Sequence, residues 1–229
     1  MRQTVIRAPL PALLLLCIPV IAGAQPGIPD PASSIIPQCI WLVGHDGVNA
    51  DPVGRFQVTV IDNTGAPVVG SQVMVDFFPC PTIQPCNNQL DASKLVICPA
   101  KQVIDFVGTN AAGQVFFDII GGSDGIGANP IGAGLPPCAV IRAWDPIGGG
   151  WIALGNVRAA VFDLDCFGVG ANDLSVWLDD FGSGLYFERS DYDCSGSIGA
   201  NDLSIWLNVF GSGASALGCP TTSGVCCGP

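Results

Sequence analysis

Residues 163–184 read DLDCFGVGANDLSVWLDDFGSG, and residues 191–213 read DYDCSGSIGANDLSIWLNVFGSG. The second copy is the first with one residue inserted: Asp163, Asp165, Cys166 and Gly168 recur as Asp191, Asp193, Cys194 and Gly196, and Asp173 recurs as Asp202. In the latter half of each copy apolar residues fall at helical spacing, as Leu174, Trp177, Leu178 and Phe181, then as Leu203, Trp206, Leu207 and Phe210. Gly182 and Gly211 follow, where a helix commonly ends. A helix of about ten residues is marginal alone in water. The repeat therefore predicts a small paired module in which the two apolar stripes face each other.

The first half of each copy has the layout of a cation-binding loop. In the second copy Asp191, Asp193 and Ser195 occupy positions 1, 3 and 5 of a twelve-residue loop. Gly196 stands at the sharp turn of position 6, Ser197 offers a backbone carbonyl at position 7, and Asp202 closes position 12. Calcium is a hard cation that takes six to eight oxygen ligands, and this spacing directs oxygens at one centre. Ile198 at position 8 is placed to pair with the neighbouring loop. The first copy keeps Asp163, Asp165 and Asp173 but carries Phe167 at position 5 and is one residue shorter, which predicts a distorted or weaker second calcium site. Helix N-capping alone would account for Asp173 and Asp202. It would not account for the Asp-x-Asp-x-x-Gly run upstream of both.

A duplicated loop-plus-helix unit of this kind, without the incoming helix of an EF-hand, resembles a type I dockerin. Asp191, Asp193, Ser195, Gly196, Ile198 and Asp202 carry the resemblance, echoed by Asp163, Asp165, Gly168 and Asp173, over residues 161–213. The resemblance implies a module that folds on calcium and docks onto a cohesin-like extracellular protein. It also implies partner-binding positions at Ala171, Asn172, Ala200 and Asn201, where the family more often carries hydroxyl-bearing or bulkier residues.

Upstream the pattern changes. Residues 25–54 are Pro-rich and read as irregular; from Arg55, Phe56, Val58 and Val60 alternate with Gln57, Thr59 and Ile61. Further strands are expected near Val73–Phe77, Val103–Val107, Gln114–Ile120, Ala139–Trp144, Trp151–Leu154 and Val157–Phe162. About seven short strands with Gly and Pro turns predict a β-sandwich over residues 55–160. The stretch VTVIDNTGAPVVGSQVMVDF, with TNAAGQVFFDIIGG after it, resembles bacterial Ig-like repeats of the invasin type and carboxypeptidase regulatory-like domains. Val58, Val60, Asp62, Gly65, Pro67, Val68, Gly70, Val73, Gly113 and Phe116 carry that likeness, which implies a fold and no chemistry. The expected class is thus mainly β: an Ig-like β-sandwich plus a small α module of two EF-hand-like calcium loop–helix repeats.

Composition sets the remaining bounds. The 229 residues are 49% hydrophobic and 12% charged, with a formal net charge of -11, which argues against disorder and against a nucleic-acid partner. Residues 1–24 read as a secretory signal, with Arg2 and Arg7, an apolar run from Leu10 to Ile21 and the A-x-A site Ala22-Gly23-Ala24. No other stretch is long and apolar enough for a transmembrane anchor, so the chain is expected outside the cell or at its surface. Ten cysteines follow the signal, and residues 214–229 form a Cys-rich tail with Cys226 and Cys227 adjacent; in an oxidising compartment disulfides are the default. If all are paired, at least one bridge joins the halves on either side of residue 160.

Catalytic patterns are lacking. His45 is the only histidine and reads as a surface loop residue, and Glu188, the only glutamate, lies between the repeats. Trp41, Trp144 and Trp151 would serve a polysaccharide ligand only if at least two were exposed and coplanar; core packing is the plainer expectation. The sequence thus predicts a secreted, non-catalytic calcium-binding protein for attachment or scaffold assembly. An adhesin-like protein with purely structural calcium and a carbohydrate-binding accessory protein remain as alternatives.

Overall fold

The computed structural model describes residues 27–123, 137–213 and 216–219. The secretory signal, the Gly-rich stretch at 125–134 and the Cys226–Cys227 pair lie outside the described residues.

Among the described residues the chain is mainly β, with two helices. Ten strands follow in order: β1 Cys39–Leu42, β2 Phe56–Thr59, β3 Val73–Asp76, β4 Ile83–Pro85, β5 Lys94–Ile97, β6 Gln102–Asp105, β7 Gln114–Phe117, β8 Gly121–Ser123, β9 Ala139–Asp145 and β10 Gly150–Val161. The helices are α1 Ala171–Gly182 and α2 Ala200–Ser212, with a 3₁₀ turn at Glu188–Ser190 between them. Six strands form one sheet in the order β1-β10-β9-β3-β6-β5; β2–β7 and β4–β8 form two smaller pairs. Only β1 runs parallel to its neighbour in the large sheet, pairing Cys39 with Arg158 and Leu42 with Val161.

Alternation decides which residues go inside. Val58 and Val60 are fully buried while Gln57 is exposed, as a half-covered strand requires. β3, at the middle of the large sheet, is buried on both faces, Val73 and Val75 on one and Met74 and Asp76 on the other. The two strands expected around Trp151–Leu154 and Val157–Phe162 are one strand, β10, whose register against β9 shifts between Ala153 and Gly155. A bulge there resets the alternation, and this is why the sequence reads as two segments. The Pro-rich residues 25–54 also contribute β1, together with bridges from Pro29 to Asp62 and Ile35 to Thr59.

One apolar core runs from the sheets into the repeats. Val75, Ile141, Val161 and Phe162 belong to the same buried cluster as Trp177, Tyr192, Trp206 and Val209. Each such side chain contributes about 1.5–3 kcal/mol by leaving water. At the junction the Phe162 and Tyr192 rings stack with centroids 4.7 Å apart, and the Tyr192 hydroxyl donates to the Val161 carbonyl. The Trp41 indole N–H donates to the Tyr192 carbonyl at 2.9 Å.

Three disulfides join described residues: Cys39–Cys194, Cys80–Cys138 and Cys86–Cys219. The first and third cross between the halves, as cysteine parity predicts. Closing the 155-residue span of Cys39–Cys194 stabilises the chain by about 5 kcal/mol in the chain-entropy account. Cys98 and Cys166 are disulfide-bonded as well.

The helices bury a different stripe from the one expected. α1 buries Asp173, Val176, Trp177 and Asp180, and α2 buries Asp202, Trp206 and Val209. Leu178, Phe181, Leu207 and Phe210 are each about half exposed. The inward face is rotated by one residue because Asp173, Asp180 and Asp202 find polar partners inside. Trp177 and Trp206 each donate to a backbone carbonyl outside their own helix, at Ser190 and Phe162.

Candidate metal centre

Two acidic clusters stand at the loops that precede the helices. Asp163, Asp165 and Asp173 each offer a carboxylate oxygen, and these lie within 4.8 Å of one another; Asp191, Asp193 and Asp202 do the same. Both sets are the ones the repeat singles out, and the shorter first loop converges its three carboxylates as the second does. In each cluster the first and last aspartates are buried, at 1% or less exposure, and the middle one is more open.

Backbone N–H groups fix the buried carboxylates. Asp163 accepts from Phe167 and Gly168, and Asp191 accepts from Ser195 and Gly196. Asp173 accepts from Leu164, Asp165 and Gly170, so it closes its own loop and reaches back across the start of α1. Asp202 repeats this with Asp193 and Gly199. The turn at position 6 requires left-handed backbone, with φ of +98° at Gly168 and +88° at Gly196. At Gly168 space is closed too: a Cβ would come within 2.4 Å of the Ala216 carbonyl. Cys166 and Cys194, just before the turns at position 4, also have positive φ, 63° and 55°, which is uncommon outside glycine. Both are held by disulfides, Cys194 by the one to β1.

Carboxylates gathered away from water resist ionisation. Burial, with the Asp173 charge next, raises the pKa of Asp163; burial raises Asp173 to about 6. Burial also raises Asp191, against hydrogen bonds that favour its charge. Asp193, in the open position, is lowered, chiefly by the Ser195 hydroxyl. A divalent cation among these groups would offset the burial and the mutual repulsion that together raise the buried ones.

The donor chemistry fits a hard cation, because every grouped ligand is an oxygen. In the second loop the Ser195 hydroxyl lies 3.2 Å from the Ser197 carbonyl oxygen, which sets positions 5 and 7 side by side. In the first loop Phe167 points to solvent at 88% exposure and supplies no side-chain oxygen. Ile198 makes no β-bridge to the other loop, so the expected pairing at position 8 is absent among the described residues. Ala171, Asn172, Ala200 and Asn201 are exposed at the first turns of α1 and α2, beside the two clusters.

Tyr186, Arg158 and Arg189 gave no sequence signal. The Tyr186 hydroxyl donates to Asp191 at 2.7 Å and accepts from Arg158 at 2.6 Å, bringing a strand β10 cation toward the second loop. Arg189 grips Asp180 with two N–H donors at 2.8 Å and reaches the Ser123 hydroxyl at 3.0 Å. Glu188 is buried, its Oε1 accepting from the backbone of Cys138 and Ala159, and burial raises its pKa. His45, expected on the surface, is buried at 5% exposure in backbone bridges to Ala50 and Leu217, and burial lowers its pKa.

Trp144 and Trp151 are a cross-strand pair with rings 74° apart, and Trp41 packs edge-on against Phe162. Neither arrangement makes a flat platform. Compared with protein-family models, curated proteins and solved structures, the chain matches none.

Proposed function

We propose that this is a secreted, non-catalytic calcium-binding protein whose paired loop–helix repeats brace an Ig-like β-sandwich and serve its attachment to another extracellular protein. The observation that carries the reading is the convergence of three carboxylates in each loop, with buried first and last members locked by backbone N–H groups. Asp191, Asp193, Asp202, the Ser195 hydroxyl and the Ser197 carbonyl would hold one ion. Asp163, Asp165 and Asp173 would hold a second, with fewer protein oxygens and hence lower affinity. The bound cation supplies charge neutralisation and a folding constraint, not chemistry on a substrate.

The chain's own residues do the rest. Gly168 and Gly196 turn the loops, Asp173 and Asp202 tie each loop to its helix, and the half-exposed Leu178, Phe181, Leu207 and Phe210 leave apolar area for a protein partner. The second reading, purely structural calcium, is favoured by the continuous core that joins the repeats to the sheets. The ring geometry of Trp144 and Trp151 weighs against a carbohydrate platform.

Because calcium binds the folded loops and not the unfolded chain, free calcium at tenfold its Kd adds about 1.4 kcal/mol per site. For a chain of this size that raises Tm by about 3–6 °C per filled site. Thermal melts with calcium and with chelator test this, magnesium serving as the control for general ionic effects. Identical melts under both conditions would refute the reading. Calcium-dependent capture of one defined extracellular partner, lost on Leu207→Asp/Phe210→Asp, would favour attachment over purely structural calcium.

A further inference from the structure

The two repeats are cross-connected rather than merely adjacent. Trp177, on the helix that leaves the first loop, donates its indole N–H to the carbonyl of Ser190, the residue that leads into the second loop, at 3.3 Å. Trp206, on the helix that leaves the second loop, donates to the carbonyl of Phe162, the residue that leads into the first, also at 3.3 Å. Each tryptophan lies one helical turn after the aspartate that closes its own loop, Asp173 or Asp202. Both indoles are at least 98% buried, so each N–H and its carbonyl depend on one another in a place without water.

The direct route between such loops, a β-bridge at position 8, is absent among the described residues. We propose that the crossed tryptophans couple the two sites, so that filling either loop tightens the other for calcium. The proposal rests on the calcium reading above. Ligation of Asp202 seats the first turn of α2; α2 carries Trp206, which fixes the Phe162 carbonyl one residue before Asp163. The mirror path runs from Asp173 through Trp177 to Ser190 and Asp191. The Phe162–Tyr192 ring stack keeps the approaches to the two loops in register between these paths.

Loss of one buried hydrogen bond changes an equilibrium by about fivefold, at the low end of measured couplings between sites. Calcium affinity at the first loop is therefore expected to fall about fivefold or more when the second is disabled by Asp193→Asn, an exposed ligand whose loss spares the core. In a Trp206→Phe background, which keeps the ring and removes the N–H, only the Trp177 path remains and the same comparison should give a clearly smaller ratio.

The test uses the full disulfide-bonded chain titrated with calcium by calorimetry and by native mass spectrometry, which separates species with one and two ions. By reciprocity, Asp165→Asn should weaken the second loop by the same factor. Calcium bound at both loops, with first-loop affinity unchanged by Asp193→Asn, would overturn the coupling and leave the calcium reading standing. A ratio that survives intact in Trp206→Phe would overturn the tryptophan route. No bound calcium in the parent chain would sink both. The comparison of parent with Asp193→Asn needs no tryptophan variant, so misfolding of Trp206→Phe does not remove the test.

Discussion

Asp180 and Asp179 are neighbours on α1 with the same side chain, yet the structure assigns them opposite costs of removal. Asp180 is 3% exposed and bonded to Arg189 through Nε and a second guanidinium nitrogen, both at 2.8 Å, with the Ser190 hydroxyl adding a bond at 2.6 Å. Asp179 is exposed. Replacing Asp180 by Ala removes the buried carboxylate that two Arg189 donors and the Ser190 hydroxyl share. Breaking a buried ion pair from one side costs about 3–5 kcal/mol. The double replacement Asp180→Leu/Arg189→Met fills the same space without charge and should lie within about 1–2 kcal/mol of the parent. The two single costs are therefore strongly non-additive. Urea denaturation at fixed free calcium, with the slope checked for constancy, measures all of these. Asp179→Ala should change stability by no more than about 0.5 kcal/mol. An Asp180→Ala cost below about 1 kcal/mol, or a double variant as unstable as the sum of the singles, would refute the reasoning.

Two further expectations follow from the loops. Gly168→Ala forces a Cβ into left-handed backbone and against the Ala216 carbonyl, so it should destabilise by about 1–3 kcal/mol. Gly182→Ala at the end of α1 meets nothing within 4 Å and should be neutral or stabilising by up to about 1 kcal/mol, which chemical denaturation would show. Stability of the calcium-free protein should fall as pH rises through about 6, the folded-state pKa of Asp173, with Asp163 raised in the same sense. The sign follows because the folded state holds these protons more tightly than the unfolded state, so the stabilisation is full below the ordinary carboxylate pKa and lost above the raised one. Denaturation in chelator at pH 5 and pH 8 checks this, and Asp163→Asn should flatten the difference.

The repeat made the metal clusters legible because calcium-loop geometry is local: ligands within a dozen residues are placed by one turn and one helix start. Asp163, Asp165 and Asp173 come together despite the missing residue, because Asp173 closes the loop through backbone donors that do not depend on side-chain identity. The alternating strands β2, β3 and β7 were legible for the same local reason. β4 and β8 were not, because Ile83-Gln84-Pro85 and Gly121-Gly122-Ser123 have too few side chains to show a period. The helix faces were misjudged because the inward stripe carries aspartates whose partners, such as Arg189, come from outside the helix. Tyr186 and Arg158 reach Asp191 only after β10 and the inter-repeat turn are packed. Disulfide pairing, with Cys39 joined to Cys194, is likewise a property of the finished core.

Whether these loops hold ions is decided most directly by counting them. Native mass spectrometry of the disulfide-bonded protein, at matched free calcium and after chelation, should find two calcium ions on the parent chain. It should find one on Asp165→Asn and one on Asp193→Asn at saturating calcium, and none on the double variant. A parent chain that retains no calcium, or a stoichiometry that none of these replacements alters, would contradict the account.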